Sequence, residues 1–179
     1  MSGFLTYCFS DWEREEFKRG VMRIRHNIKT DEPIRRPLRE NEIEGRDYYV
    51  KADPNFGRGT YGVCHRGLRK ILQPEDVLFF RTLWRQQQYL IGYFVVNGTM
   101  GSFENPTVLA DTARSRLVNF KLPITLELAK QINQETKYRR GIHPNRTLNG
   151  RLGRNYKRLD EQTTRVLIAL IEEKHISTP

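Results

Sequence analysis

Two apolar runs, DVLFFRTL at 76–83 and QYLIGYFVVN at 88–97, restrict what this chain can fold into more than any other feature. Both are rich in β-branched and aromatic residues, and only WRQQ (84–87) separates them. Such runs, joined by a short polar link, form a β-hairpin. Phe79, Leu90 and Ile91 are expected in the core, with Phe80 on the other side of the sheet. Gly92, inside the second strand, marks a bulge or a close backbone approach.

The rest of the chain is read around this hairpin. FLTYCFS (4–10), VMRIRH (21–26) and RDYYVK (46–51) have strand character. Residues 29–45 and 52–62 read as loops. HRGLRKIL (65–72) has one or two helical turns and stops before Pro74, and 73–76 is a turn. A loop covers 98–106, and 107–120 carries no clear pattern. TLELAKQINQ (125–134) is an amphipathic helix capped by Thr125, and 160–173 is a second, capped by Asp160. Strands fill the first two-thirds and helices the last third, in a chain long enough for one core. The expected class is α+β: a twisted, partly closed antiparallel barrel over 1–124, with flanking helices. Residues 125–179 are expected as a helical extension packed on the same domain, with a C-terminal helix.

Charge indicates the partner. Lys and Arg number 31 against 21 acids, a net charge of +10. Residues 137–158 concentrate the excess, with eight Lys or Arg and no Asp or Glu. A segment so one-signed repels itself unless a polyanion lies against it. Arg139, Arg140, Arg146, Arg151, Arg154, Lys157 and Arg158 are therefore candidate phosphate contacts, and Tyr138 and Tyr156 are interleaved with them. Nucleic acid, DNA or RNA, is the expected partner. A free nucleotide or a protein is the alternative, with charge serving only solubility.

Signals for chemistry are sparse. Cys8 and Cys64 cannot frame a disulfide scaffold, and the four histidines are scattered, so neither metal nor cofactor is expected. No phosphate-binding loop, HExxH, GxSxG or calcium-loop motif occurs, and GRGTYG (57–62) lacks the strand and helix that a dinucleotide fingerprint needs. Adjacent Cys64 and His65 point to opposite sides of an extended segment, a poor arrangement for a nucleophile and its base. A binding module without chemistry is expected. An enzyme acting on a nucleotide or base through Asp11, His65 or Cys64 is the rival. With no apolar run near 20 residues and no leader-like start, a cytoplasmic chain without a membrane partner is expected.

The run GVCHRGLRKILQPEDVLFFRTLWRQQQYLIGYFVV (62–96) resembles the central segment of EVE-type domains in the PUA-like superfamily, relatives of ASCH and YTH domains. Leu68 and Leu72 stand at the helical positions, Glu75–Asp76 at the turn, Phe79–Phe80 on one strand and Ile91–Gly92 on the next. FLTYCFSDW resembles the first strand. There is a looser similarity to domains associated with nucleotide modification. The sequence departs from the pattern at two places. His65 stands nearest to the asparagine that often reads a base, and Glu75 replaces the turn glycine. The resemblance implies a small barrel whose pocket accepts an extruded base, modified or not. Its wall would lie between the 10–12 turn, the 62–66 segment and the 81–85 hairpin. The candidate base-binding residues are Ser10, Asp11, Trp12, Tyr61, Val63, His65, Arg66, Arg81, Trp84 and Arg85. Trp12 and Trp84 would provide stacking faces.

Overall fold

The structure, a computed structural model, describes residues 2–7, 23–27, 48–52, 54–62, 65–84, 87–132 and 156–174. The described strands are β1 (Gly3–Tyr7), β2 (Arg23–Asn27), β3 (Tyr48–Ala52), β4 (Thr60–Tyr61), β5 (Val77–Trp84), β6 (Gln87–Met100), β7 (Thr107–Pro123) and β8 (Lys157–Leu159). The described helices are α1 (Arg66–Arg69), α2 (Leu126–Ile132) and α3 (Glu161–Lys174). Six strands form one strongly curled, half-barrel sheet in the order β4-β7-β6-β5-β1-β8, and β2 pairs with β3 in a separate ribbon. Among the described residues no helix is long and apolar enough to cross a membrane.

The expected hairpin is β5–β6, with two residues between the paired ends Trp84 and Gln87. The patternless stretch after 106 is the longest strand, β7, which pairs with β6 from Met100–Thr107 to Tyr89–Pro123. Three register shifts along β6–β7 break its alternation, which is why the sequence gives no clean period of two. A fully antiparallel sheet was expected. Instead β1 runs parallel to β5, Gly3 opposite Val77 through Tyr7 opposite Arg81. The long connection between them permits this, since parallel neighbours need a crossover. β8 then pairs antiparallel on the far side of β1, so Lys157 and Arg158 of the basic segment are strand residues.

Asp76 fixes the parallel register. Its carboxylate accepts the Ser2 N–H at 2.9 Å and the Gln73 N–H at 3.0 Å, and the Val77 N–H donates to the Ser2 carbonyl at 2.9 Å. The preceding turn places Pro74 before Glu75, whose φ is +70°, the conformation a glycine adopts at least cost. Glu75, at the position of the resemblance's turn glycine, is instead tied down by two bonds from Arg114 at 2.8 and 2.9 Å.

Both faces of the sheet are covered. The inner face packs Phe4, Leu78, Phe80, Ile91 and Phe94 beneath Leu68 and Leu72 of the α1 region, with Phe56 edge-on to Phe94 at 4.7 Å. The outer face packs Leu5, Phe79, Leu90 and Tyr93 against Leu128 and Ile132 of α2 and Leu167 and Ile171 of α3. Phe79 and Phe80 are both fully buried and point to opposite cores, as do Leu90 and Ile91. Gly92, with φ +150°, allows Phe56 to lie across the strand; a Cβ there would sit 2.8 Å from that ring and 2.2 Å from the Arg116 carbonyl. Tyr93 donates to Glu172 of α3, which also takes Arg116 at 3.2 Å. Burial and this bond push the Tyr93 phenol well above its ordinary value.

Truncation of either phenylalanine should cost about 3–5 kcal/mol. The two should differ in what they loosen. Phe79→Ala should accelerate hydrogen exchange in α3, whereas Phe80→Ala should leave α3 protected and expose the α1 region. Equal acceleration of α3 in both variants would contradict the two-core arrangement.

Candidate functional site

The C-terminal end of β1 gathers residues that the sequence assigned to separate roles. On β5, Arg81 is buried, with 1% of its surface exposed. Its guanidinium lies 5.1 Å from the centroid of the Tyr7 ring and donates to Gln88 Oε1 at 3.0 Å. Alternation puts Arg81 on the outer face with Leu90, its cross-strand partner, and Tyr7 on that face with Leu5. Lys157 is opposite Leu5 on β8 and shares the same face. Two cations, a buried Arg81 and a half-buried Lys157, thus share one face, on the strands flanking β1. The Lys157 ammonium is held below the ordinary lysine value, first by burial and then by the charge of Arg81.

The inner face at this end has a different chemistry. Thr6 and Thr82 follow Phe4 and Phe80 by two residues and share their side of the sheet. Both are fully buried, and neither Oγ1 has a hydrogen-bond partner among the described residues. Such hydroxyls are uncommon in folded proteins, because each forfeits its bonds to water. Tyr89, opposite Thr82, packs against the same inner core.

His65 links the β4 edge of the curled sheet to β1, the strand next to the opposite edge. It follows β4, the edge strand, yet its Nε2 lies 2.5 Å from the carbonyl of Tyr7 at the end of β1. A carbonyl only accepts, so Nε2 carries the proton. The residue adopts φ +51° and ψ +57°, a left-handed conformation that non-glycine residues rarely use, and it begins α1. The curl of the sheet brings this loop within reach of β1, and His65 closes the end of the half-barrel.

Of the expected base-binding residues, the structure brings His65 and Arg81 to the end of β1. Trp84 is the last residue of β5. Tyr61 lies inside the inner core, edge-on to Phe80 at 5.2 Å, and Arg66 turns away to Glu104 at 2.7 Å. Ser10, Asp11, Trp12, Val63 and Arg85 lie outside the described residues, as do Arg139, Arg140, Arg146, Arg151 and Arg154. Of the expected phosphate contacts, Lys157 joins Arg81, while Arg158 donates to Ser2 Oγ at 3.2 Å. Sequence reasoning missed Tyr7, Gln88, Thr6 and Thr82. The signal was available for Thr6 and Thr82, polar residues at inward positions of otherwise apolar strands. Among the described residues no group of three or more His, Cys, Asp or Glu could hold a metal ion. No family model matches the chain, and no curated protein does.

Two outcomes are expected from this geometry. Thr6→Val and Thr82→Val replace orphaned hydroxyls by methyls of the same shape, so thermal or denaturant unfolding should show unchanged or increased stability, by up to about 1–3 kcal/mol. A clear loss would mean that the hydroxyls are bonded. Lys157 binds its proton less readily folded than unfolded, so its charge opposes folding below the folded value. That penalty fades as pH rises from there towards the ordinary lysine value. Lys157→Met should therefore raise the melting temperature at pH 7, by a margin that shrinks towards pH 10.5. A margin independent of pH would rule out the charge as its cause.

Proposed function

We propose that this chain is a nucleic-acid-binding domain of the PUA-like, EVE-related kind, which holds an extruded base or nucleotide at the end of β1. The observation that carries the reading is the convergence of a buried Arg81 and a partly buried Lys157 on one face beside the Tyr7 ring. A phosphate diester brought to this face would be attracted by both charges. Lys157 and Arg158, the last two cations of the basic segment 137–158, lie on β8 beside β1, and the segment's other cations would add phosphate contacts. The curled sheet supports the barrel that the sequence resemblance implies.

The inner face would receive the base. Thr6 and Thr82 hydroxyls would supply donors and acceptors for a base edge, and their lack of partners among the described residues is the cost that a bound edge would relieve. His65, with Nε2 committed to the Tyr7 carbonyl, holds its ring at the mouth in a fixed tautomer. Trp84, at the end of β5, and Trp12 are the candidate stacking faces. No step of bond making is required, and the reading is one of recognition.

The two halves of the proposal separate in a titration. Lys157→Gln, and alanine at Arg151, Arg154 and Arg158, should weaken binding to all oligonucleotides alike. The salt dependence should flatten by about 0.7–0.9 in slope per lost phosphate contact. Thr6→Val with Thr82→Val should keep that background and lose preference for an unpaired or modified base over a matched duplex. Salt slopes equal to wild type in the cation variants would sink the phosphate contacts. Loss of both kinds of binding in the same proportion in the two classes of variant would sink the separate base pocket.

A further inference from the structure

A second site lies where α1 meets the β6–β7 hairpin, and the nucleic-acid reading above does not use it. A cleft of about 300 Å³ opens there, lined among others by Lys70, Gln73, Thr99, Ser102 and Phe103. This is the lower limit of small-ligand pockets, room for one flat ring system and a small polar group. Phe103 is 77% exposed at the hairpin tip, a large apolar surface left in water, with Met100 (56%) on the same hairpin. The ammonium of Lys70 sits 4.6 Å from the Phe103 ring centroid.

Charge gathers around the cleft. Glu104 takes Arg66 at 2.7 Å and Lys70 at 3.2 Å. Arg69 is buried and bonded to neutral groups, the Pro106 carbonyl and Asn105 Oδ1. It fixes the base of the hairpin loop. The surface thus offers an aromatic face, hydroxyls and cations, with one carboxylate occupying the cations.

We propose that this cleft binds a nucleoside monophosphate, its base stacked on Phe103 and its phosphate exchanging with Glu104 for Lys70 and Arg66. The ligand needs a ring for the exposed aromatic and a negative charge for the cations. Glu104 acts as a resident competitor. The hydrogen bond from Lys70 is the main cause that holds its carboxyl below the ordinary value, so it stays charged at neutral pH. The site shares no residue with the Arg81–Lys157 group, and its failure or success is independent of that reading.

Adenosine 5′-monophosphate and inorganic phosphate, titrated separately by calorimetry or amide chemical shifts, test the proposal. Adenosine monophosphate should bind more tightly than phosphate. Phe103→Ala should weaken it about tenfold and leave phosphate unaffected. Lys70→Ala should weaken both. Glu104→Gln should strengthen both about two- to fivefold, because an exposed competing charge is removed. Lys157→Gln should change none of these affinities, although it weakens oligonucleotide binding under the reading above. The proposal is overturned by undetectable nucleotide binding at millimolar concentration, by insensitivity to Phe103→Ala, or by weaker binding in Glu104→Gln. Dimerisation that Phe103→Ala abolishes, with no nucleotide binding, would assign the surface to a second copy of the chain and also overturn it.

Discussion

The parallel seating of β1 between β5 and β8 is the constraint from which the rest of this structure follows. No tight turn can deliver a parallel neighbour, so β1 must find β5 across a long stretch of chain. Asp76 makes the match specific by accepting N–H groups from both Ser2 and Gln73. Once Gly3 is opposite Val77, Tyr7 is opposite Arg81, and every side chain on β1 is committed to a face. A slip of one residue would turn Leu5 and Tyr7 inward and Thr6 outward. Gly3 adds a second restraint, because a Cβ there would lie 2.0 Å from Thr164 Oγ1, so α3 can approach β1 only at a glycine.

The candidate site is a consequence of that register. Neighbouring positions on β1, β5 and β8 present Tyr7, Arg81 and Lys157 to one face, while Thr6 and Thr82 face the other. A single strand end therefore offers cations outside and orphaned hydroxyls inside. A nucleotide extruded from a strand has the same division, a charged backbone and a base edge with donors and acceptors. His65 holds the curled sheet closed at this point through one bond to main chain, at a left-handed backbone position that ordinary loops avoid.

Much of the sheet was legible in the sequence because its strongest strands are continuous apolar runs. The β5–β6 hairpin, the helical turn before Pro74 and the two later helices with caps at Thr125 and Asp160 all follow from local chemistry. β7 was not legible, since bulges shift its register three times against β6. β8 was hidden inside a basic segment and is a strand because β1 offers it an edge, a tertiary cause that three residues cannot announce. The site was half legible. Arg81, His65 and Lys157 stood out by type, but as members of different sets. Their partners Tyr7 and Gln88 depend on pairing across strands distant in sequence. Tyr61, expected among the base-binding residues, is buried in the inner core.

The central claim is that Arg81 and Lys157 form the phosphate-contacting face of a nucleic-acid site, and the protonation of Lys157 reports on it directly. Its ammonium is depressed in the free protein by burial and by the charge of Arg81. A phosphate brought against the pair reverses the sign of the local potential. An NMR titration of the Lys157 side chain, with and without a saturating single-stranded oligonucleotide, DNA and RNA in turn, measures this. The account predicts that at least one of them moves the Lys157 pKa up to or above the ordinary lysine value. A Lys157 that titrates unchanged in the presence of both bound oligonucleotides would contradict it.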